Sequence, residues 1–289
     1  MNPALPVLVP LAGAALAALA TRLRLAPVRR FALLVLALAS VLALIGLARG
    51  AEATSRLPWV PALGLEWSLR GDRLGDVAAL LILVLGALAL WQGSSPHGRQ
   101  TSSGIARLLF IVAFAELAVL ADNLLLVAAA CACTALAAFC NDEVTPAGAW
   151  SGATLRFVVS GAGTLALLAA ALLLADATGS ASIGDALASA PSLAEPPLGG
   201  LLGWLLAVGA WTQSATWPCG EWLRTRGPTD GESATGALVF VLGACLAIRL
   251  LPLISVGVAR PGVIAGFVVA PFVCAWLARA LQLAPASEA

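Results

Sequence analysis

Apolar runs long enough to cross a bilayer recur along this chain. A hydrocarbon core of about 30 Å takes about 20 helical residues at a rise of about 1.5 Å each. Such runs are read at 4–20, 29–48, 74–92, 105–121, 123–140, 154–176, 198–217, 233–254 and 261–281. Inside hydrocarbon no water meets the backbone amides, so a lone segment must satisfy them internally, and a helix does so. The expected class is therefore all-α: a polytopic transmembrane bundle of about nine spans forming one membrane domain, 1–289. Three parts are expected within it: a three-helix part at 1–92, a five-helix unit at 105–254, and a terminal helix and tail at 255–289. The first run has no basic residues ahead of it, and more spans follow, so it is read as a transmembrane helix and not as a cleaved leader.

Composition agrees. Hydrophobic residues make up 61% of the chain and charged ones 11%, with a mean hydropathy of +0.97. A soluble domain is nearer half apolar and a quarter charged, so the lipid bilayer is the expected solvent. A net charge of +1 gives no electrostatic basis for binding nucleic acid. The six cysteines, Cys131, Cys133, Cys140, Cys219, Cys245 and Cys274, lie almost wholly in apolar runs, and His97 is in a loop. A zinc site takes about four ligands, so no metal is expected, and the cysteines read as small hydrophobes. No cofactor is expected either. With no nucleophile, base or metal cluster assembled, the chain does not read as an enzyme.

Every basic residue is arginine, and their distribution sets the orientation. Arg22, Arg24, Arg29 and Arg30 crowd the first connection, and Arg99, Arg107, Arg156, Arg224, Arg226 and Arg279 fall on the same side. Arg49, Arg56, Arg70, Arg73 and Arg260 fall on the other. The positive-inside rule then puts the N-terminus outside and the C-terminus in the cytoplasm, as a multi-pass protein of the inner (plasma) membrane. Residues 50–73 alternate enough for a short outer hairpin. Residues 177–197 read as a polar external loop carrying a short surface helix. Ala121 to Asn123 leave room only for a tight helical hairpin.

Ionisable groups inside spans are functional candidates, because each costs about 2.5–3.5 kcal/mol at mid-bilayer on insertion scales. Asp122 reads as the N-cap of the fifth helix. Arg156 and Asp176, at the ends of the sixth span, and Arg249, a turn before Leu-Pro, read as side chains that reach the headgroups by snorkelling. Glu116 lies well within the fourth span, too deep for a carboxylate to snorkel, and two readings stay open for it: a proton-titrating site, or a structural or subunit contact. The stretch AWTQSATWPCGEWLRTRGPTD, 210–230, interrupts an apolar run. Pro218 removes a backbone hydrogen bond and frees a carbonyl about one turn earlier. Gln213, Ser214 and Thr216 are placed to satisfy that backbone, and a glutamine side chain cannot titrate. The segment is either a kinked helix end or a helix break of the kind on which transporters build ion sites. The ion-pathway candidates are thus Glu116, Gln213, Ser214 and Arg249, and the structural ones Pro218, Asp122 and Arg156.

QSATWPCGEWL, GPTDGESA and GACLAIRLLPL resemble the broken seventh helix and the following helix of the antiporter-like proton-translocating membrane subunits. That superfamily includes large membrane subunits of respiratory complex I, the Mrp cation/proton antiporters, and DabB of the DabA/DabB inorganic carbon accumulation system. WVPALGLEWSLRGDRL, LADNLLL and RFVVSGAGTLALL match in the same order, ahead of the third helix, in the fourth-to-fifth hairpin and in the sixth helix. Thr134 and Leu136, with Asp72, Arg73 and Leu74, look closest to DabB. The resemblance implies a membrane subunit of an energy-coupled CO2/bicarbonate uptake complex, providing cation/proton coupling or anchoring beside a large DabA-like zinc subunit. The alternatives are a non-conducting structural subunit, or a first-half subunit of a complex I- or Mrp-type complex with other antiporter subunits as partners.

The departures from the pattern concern charge. Ala132 stands where complex I-like subunits have glutamate, and Gln213 where the superfamily has lysine. Gly161 and Thr164 replace an arginine and an aspartate of the sixth helix. Ala237 and Gly220 replace histidines. The sequence also stops near where the second, inverted half of such subunits is expected to begin.

Overall fold

A computed structural model describes residues 2–23, 28–50, 53–60, 65–92, 102–142, 152–189, 193, 198–214 and 230–258. The apolar runs within those limits are helices: α1 (Ala4–Arg22), α2 (Val28–Arg49), α3 (Arg73–Gln92), α4 (Ser102–Leu120), α5 (Leu124–Asp142), α6 (Gly152–Thr178), α8 (Leu198–Gln213) and α9 (Asp230–Val258). The short α7 (Ile183–Ala188) lies between α6 and α8, and strands β1 (Ala53–Val60) and β2 (Leu65–Gly71) between α2 and α3. Six of these helices are long and apolar enough to cross a membrane, and α5 and α8 add shorter apolar helices, Leu124–Cys140 and Leu198–Gln213. Eight of the nine expected spans are thus seen as helices. The ninth, at 261–281, and the break residue Pro218 lie outside the described residues. The seventh apolar helix stops at Gln213, four residues short of the expected boundary.

The bundle is built around α4, which packs against α1, α2, α3, α5 and α9. A helix that is apolar on every side belongs inside. Across its span α4 is 78% buried, against 33% for α1 and 28% for α2. The outer two turn Leu16, Leu19, Leu34, Leu38 and Val41 outward, which suits a lipid-facing surface. Contacts of α4 with α5, α5 with α6, α6 with α8, α8 with α9, and α9 with α3 and α4 close a second ring on the same central helix.

One face is knotted together by polar backbone. The antiparallel β1–β2 ladder runs from Ala53 opposite Gly71 to Val60 opposite Leu65, with an irregularity between Pro58 and Val60, where proline cannot donate. From β2, Leu69 bridges to Ala121, and the Asp122 N–H donates to the Ser68 carbonyl at 2.9 Å. On the other side of the same turn, Ile183 N donates to the Asp122 carbonyl at 2.7 Å and Leu124 N to that of Ala181 at 2.9 Å. The turn between α4 and α5 is therefore buried with its backbone bonded on both flanks. On this hairpin face α2 and α6 also end, at Gly50 and Gly179, whose φ values of 61° and 74° are the left-handed conformations that glycine adopts freely.

The cap of α5 differs from expectation. Asn123, not Asp122, supplies it: the Leu125 N–H donates to Asn123 Oδ1 at 2.9 Å. Asp122 sits one residue too early and instead accepts a hydrogen bond from Ser182 Oγ at 3.2 Å.

Candidate functional site

Glu116 is fully buried, at 0% exposure, in the central helix. Neither of its carboxylate oxygens has a hydrogen-bond partner among the described residues. Helical spacing puts Val112, Glu116 and Val119–Leu120 on one stripe of α4. That stripe faces α3: a Cβ on Gly86 would lie 2.6 Å from Val112, and one on Gly75 would meet Leu120 and the Val119 carbonyl.

Arg249, on α9, reaches the same stripe. It does not snorkel. The residue is only 8% exposed, and its Nη1 donates to the Val119 carbonyl on α4. Its Nη2 lies 3.7 Å from Asp72 Oδ2, an ion pair without a hydrogen bond. A guanidinium turned inward can bond a helix carbonyl and face a carboxylate, which a headgroup position would not offer both together. Asp72 is the N-cap of α3, its Oδ1 accepting from Gly75 N at 2.7 Å. Beside it opens a cavity of about 320 Å³ on the hairpin face, lined by Gly50, Gly71, Asp72, Arg73 and Asp76 among others.

Gln213 does something different from bridging its own freed backbone. Its amide crosses to α6, where Nε2 donates to the Ser160 carbonyl and to Thr164 Oγ1, both at 3.1 Å, and Oε1 accepts from Ser160 Oγ at 3.0 Å. Thr164 in turn donates to the Ser160 carbonyl at 2.9 Å. Two positions where the resemblance implies charge, Thr164 and Gln213, thus hydrogen-bond to each other as neutral groups. Ser214 turns its hydroxyl back to its own helix, donating to the Trp211 carbonyl at 2.7 Å.

The helices around this crossing approach closely because glycines leave room. A Cβ on Gly163 would overlap Thr212 Oγ1, one on Gly209 would lie 2.5 Å from Leu167, and one on Gly243 would overlap the Ser214 backbone. Small residues at such contacts are how helices pack when lipid removes the hydrophobic drive between them.

The remaining candidates are structural or undescribed. Asp122 is 4% exposed and joins the turn to Ser182. Arg156 falls in the first turns of α6, and its side chain lies outside the described residues. Asp176 is exposed near the end of α6. Cys131, Cys133, Cys140 and Cys245 are free thiols, and Cys131 and Cys245 are buried. Among the described residues no group of three or more His, Cys, Asp and Glu side chains is placed to hold a metal.

Sequence reasoning passed over Asp72, Asp76, Ser160 and Asn123 as site residues. Asp72 carried the usable signal, an aspartate three residues before a glycine at the head of an apolar run, which is N-cap spacing. Ser160 lies four residues before Thr164 and so on the same helical face. That the face meets Gln213 is a tertiary fact.

The fold has counterparts among solved structures. The chain superposes on a component of the Mrp complex from Dietzia sp. with a TM-score of 0.68 at 25% identity, covering 89% of this chain and 27% of that one. A component of respiratory complex I from Thermus thermophilus gives a TM-score of 0.76 at 19% identity, over 89% and 54%. A component of the archaeal membrane-bound sulfane sulfur reductase gives 0.69 at 20%, over 89% and 42%. The fold is that of a membrane antiporter-like subunit. Curated sequences agree: a probable K(+)/H(+) antiporter subunit of Rhizobium meliloti is 27% identical over 215 residues, and a putative antiporter subunit of Staphylococcus haemolyticus is 27% identical over 173. The matched regions cover 72% and 58% of this chain, which spans about a fifth of each relative, 22% in both cases. No family model matches.

Proposed function

We propose that the chain is a membrane subunit of an Mrp- or complex I-type cation/proton antiporter-like complex, with Glu116 and not the α6/α8 crossing as its titrating group. One observation carries this: a carboxylate with no exposed surface and no bonded oxygen, at the centre of an antiporter-like bundle. Such a group costs about 2.5–3.5 kcal/mol on insertion and adds no packing that a leucine would not, which makes it a functional candidate. Gln213 takes the opposite part. An amide has no proton to exchange at ordinary pH, and here its bonds to Ser160 and Thr164 hold α8 against α6. The chain acts with partner subunits in the inner (plasma) membrane, its hairpin face outward by the distribution of arginines. The antiporter and respiratory relatives favour partners of those kinds.

A second reading is a DabB-like coupling subunit beside a DabA-like zinc protein, in CO2/bicarbonate uptake. It rests on the Thr134 and Leu136 pattern of α5. Isolating the full chain from its native membrane and identifying the bound subunits by mass spectrometry separates the two. Antiporter-complex subunits support the first reading; a large zinc protein supports the second. In the reconstituted assembly, cation-driven proton movement should fall to background in Glu116→Gln. Full flux in that variant removes Glu116 from the pathway.

A further inference from the structure

We propose that Glu116 is a proton site reached from the hairpin face, by way of the Arg249–Asp72 pair and the acid-lined cavity beside it. This rests on the antiporter-like reading above for its biological use, but the access side follows from geometry.

The ion is a proton because the surroundings supply nothing else a cation needs. The buried neighbours of Glu116 on α4 are Val112, Ala113, Ala115, Leu117, Val119 and Leu120. Hard metal cations take about six oxygen ligands, and among the described residues no group of three or more His, Cys, Asp and Glu side chains is gathered to anchor such a set. A proton takes one.

The access side follows from an asymmetry along the stripe. Toward the opposite face, α4 continues through Val112, Leu109, Leu108 and Ile105, all buried and apolar. That is about 16 Å of hydrocarbon at about 1.5 Å per residue. The facing positions on α3 and α9 include Ile82, Leu83, Leu90, Leu242 and Leu238, also buried. Toward the hairpin face, polar groups begin within one turn. The Val119 carbonyl carries Arg249, Arg249 faces Asp72, and Asp72 and Asp76 line the cavity.

Charges on the other packed elements do not offer a second route. Within their described lengths α1 carries Arg22 at one end, and α2 carries Arg29, Arg30 and Arg49 at its ends. The end of α3 on the hairpin face holds Arg73 and Asp76, and β2, which packs against α4 on that same face, holds Glu66 and Arg70. Mid-helix, α5 offers the thiols of Cys131 and Cys133, and α9 that of Cys245, one turn below Arg249. On α4 itself Arg107 is committed to the Cys140 carbonyl at 2.6 Å.

Arg249 cannot relay a proton, since guanidinium stays charged. Its part is to hold a positive charge at the Val119 carbonyl, on the hairpin side of Glu116, and to offset Asp72. Glu116 Oε releases its proton to a water from the cavity, leaving a carboxylate and a hydronium ion, and the hydronium proton passes to bulk water on the hairpin side. Loading is the reverse.

Infrared spectroscopy of the full chain in oriented proteoliposomes tests this, with pH changed on one side at a time. The carboxylic-acid C=O band of Glu116 is assigned by its loss in Glu116→Gln and its return in Glu116→Asp, which separates loss of the group from loss of the fold. The band should follow pH on the hairpin side alone. Asp72→Asn should slow its response about tenfold or more, a barrier increase of about 1.4 kcal/mol. Because Asp72 also caps α3, Asp76→Asn is the second variant, and it should slow the response while leaving that cap in place. A band that follows the opposite side, ignores both acidic variants or never forms overturns the proposal. A band tracking the opposite side leaves the antiporter reading standing. A chain isolated without antiporter-complex subunits sinks that reading whatever the band does.

Discussion

Two buried polar regions of this bundle are built on opposite principles. On the α3/α4/α9 stripe, Glu116, Arg249 and Asp72 are ionisable, and Glu116 and Arg249 leave hydrogen-bonding capacity unused. At the α6/α8 crossing, Gln213, Ser160 and Thr164 are neutral and bonded to one another, with backbones brought close by Gly163 and Gly209. A satisfied network in a low-dielectric interior is rigid, and an unsatisfied buried charge there is poised to change state. On the proposed account the crossing is fixed packing and the stripe is where titration occurs. It is the reverse of what the superfamily resemblance implies, where a lysine and an aspartate stand at the positions of Gln213 and Thr164.

Substitutions at each region should separate the two roles. The largest effect is expected beside the crossing, where α9 meets the end of α8. Gly243→Val would drive a side chain into the Ser214 backbone, which even a Cβ would overlap. Overpacking of that kind costs about 3 kcal/mol. Unfolding in denaturing detergent, followed by circular dichroism, should show that loss; unchanged stability would mean α9 does not press on the end of α8.

Arg249→Met comes next. Breaking a buried pair leaves its partner uncompensated, typically about 3 kcal/mol. Asp72 is 23% exposed, so water screens part of that, and about 2 kcal/mol is expected. Adding Asp72→Asn should recover some of it, and an additive double variant would show that the two do not interact.

Gln213→Leu removes three hydrogen bonds but no charge. Unsatisfied groups on α6 then cost about 1–3 kcal/mol in the same unfolding assay. Proton exchange should not change, and a change would place Gln213 in the pathway. The smallest effect is at the turn: Asn123→Ala should cost about 1 kcal/mol, the worth of an N-cap. Asp122→Ala should leave that cap intact by amide hydrogen exchange at the start of α5, and the reverse result would restore Asp122 as the cap.

The sequence made the helices legible because about 20 apolar residues in a row have few other uses. It made the β1–β2 hairpin and the turn at Ala121–Asn123 legible through alternation and shortage of length. Asp122 and Asn123 were confused because adjacent polar residues at a helix start compete, and only the hydrogen bond to Leu125 N decides. Arg249 was misread because a long cation near a helix end can snorkel or turn inward, and the choice depends on Asp72, 177 residues earlier. Thr164 and Gln213 were each visible as lost charges. Their meeting across 49 residues of sequence is set by the α6/α8 crossing, which no local pattern encodes.

The most direct test is a count of protons. The purified full chain is taken through an alkaline pH jump, and proton release is read with a pH indicator for the natural sequence, Glu116→Gln and Gln213→Leu. A carboxyl holds a single proton, so the natural sequence and Gln213→Leu should each release one more than Glu116→Gln. Equal release from the natural sequence and Glu116→Gln, or a deficit in Gln213→Leu, would contradict the assignment of titration to the central helix.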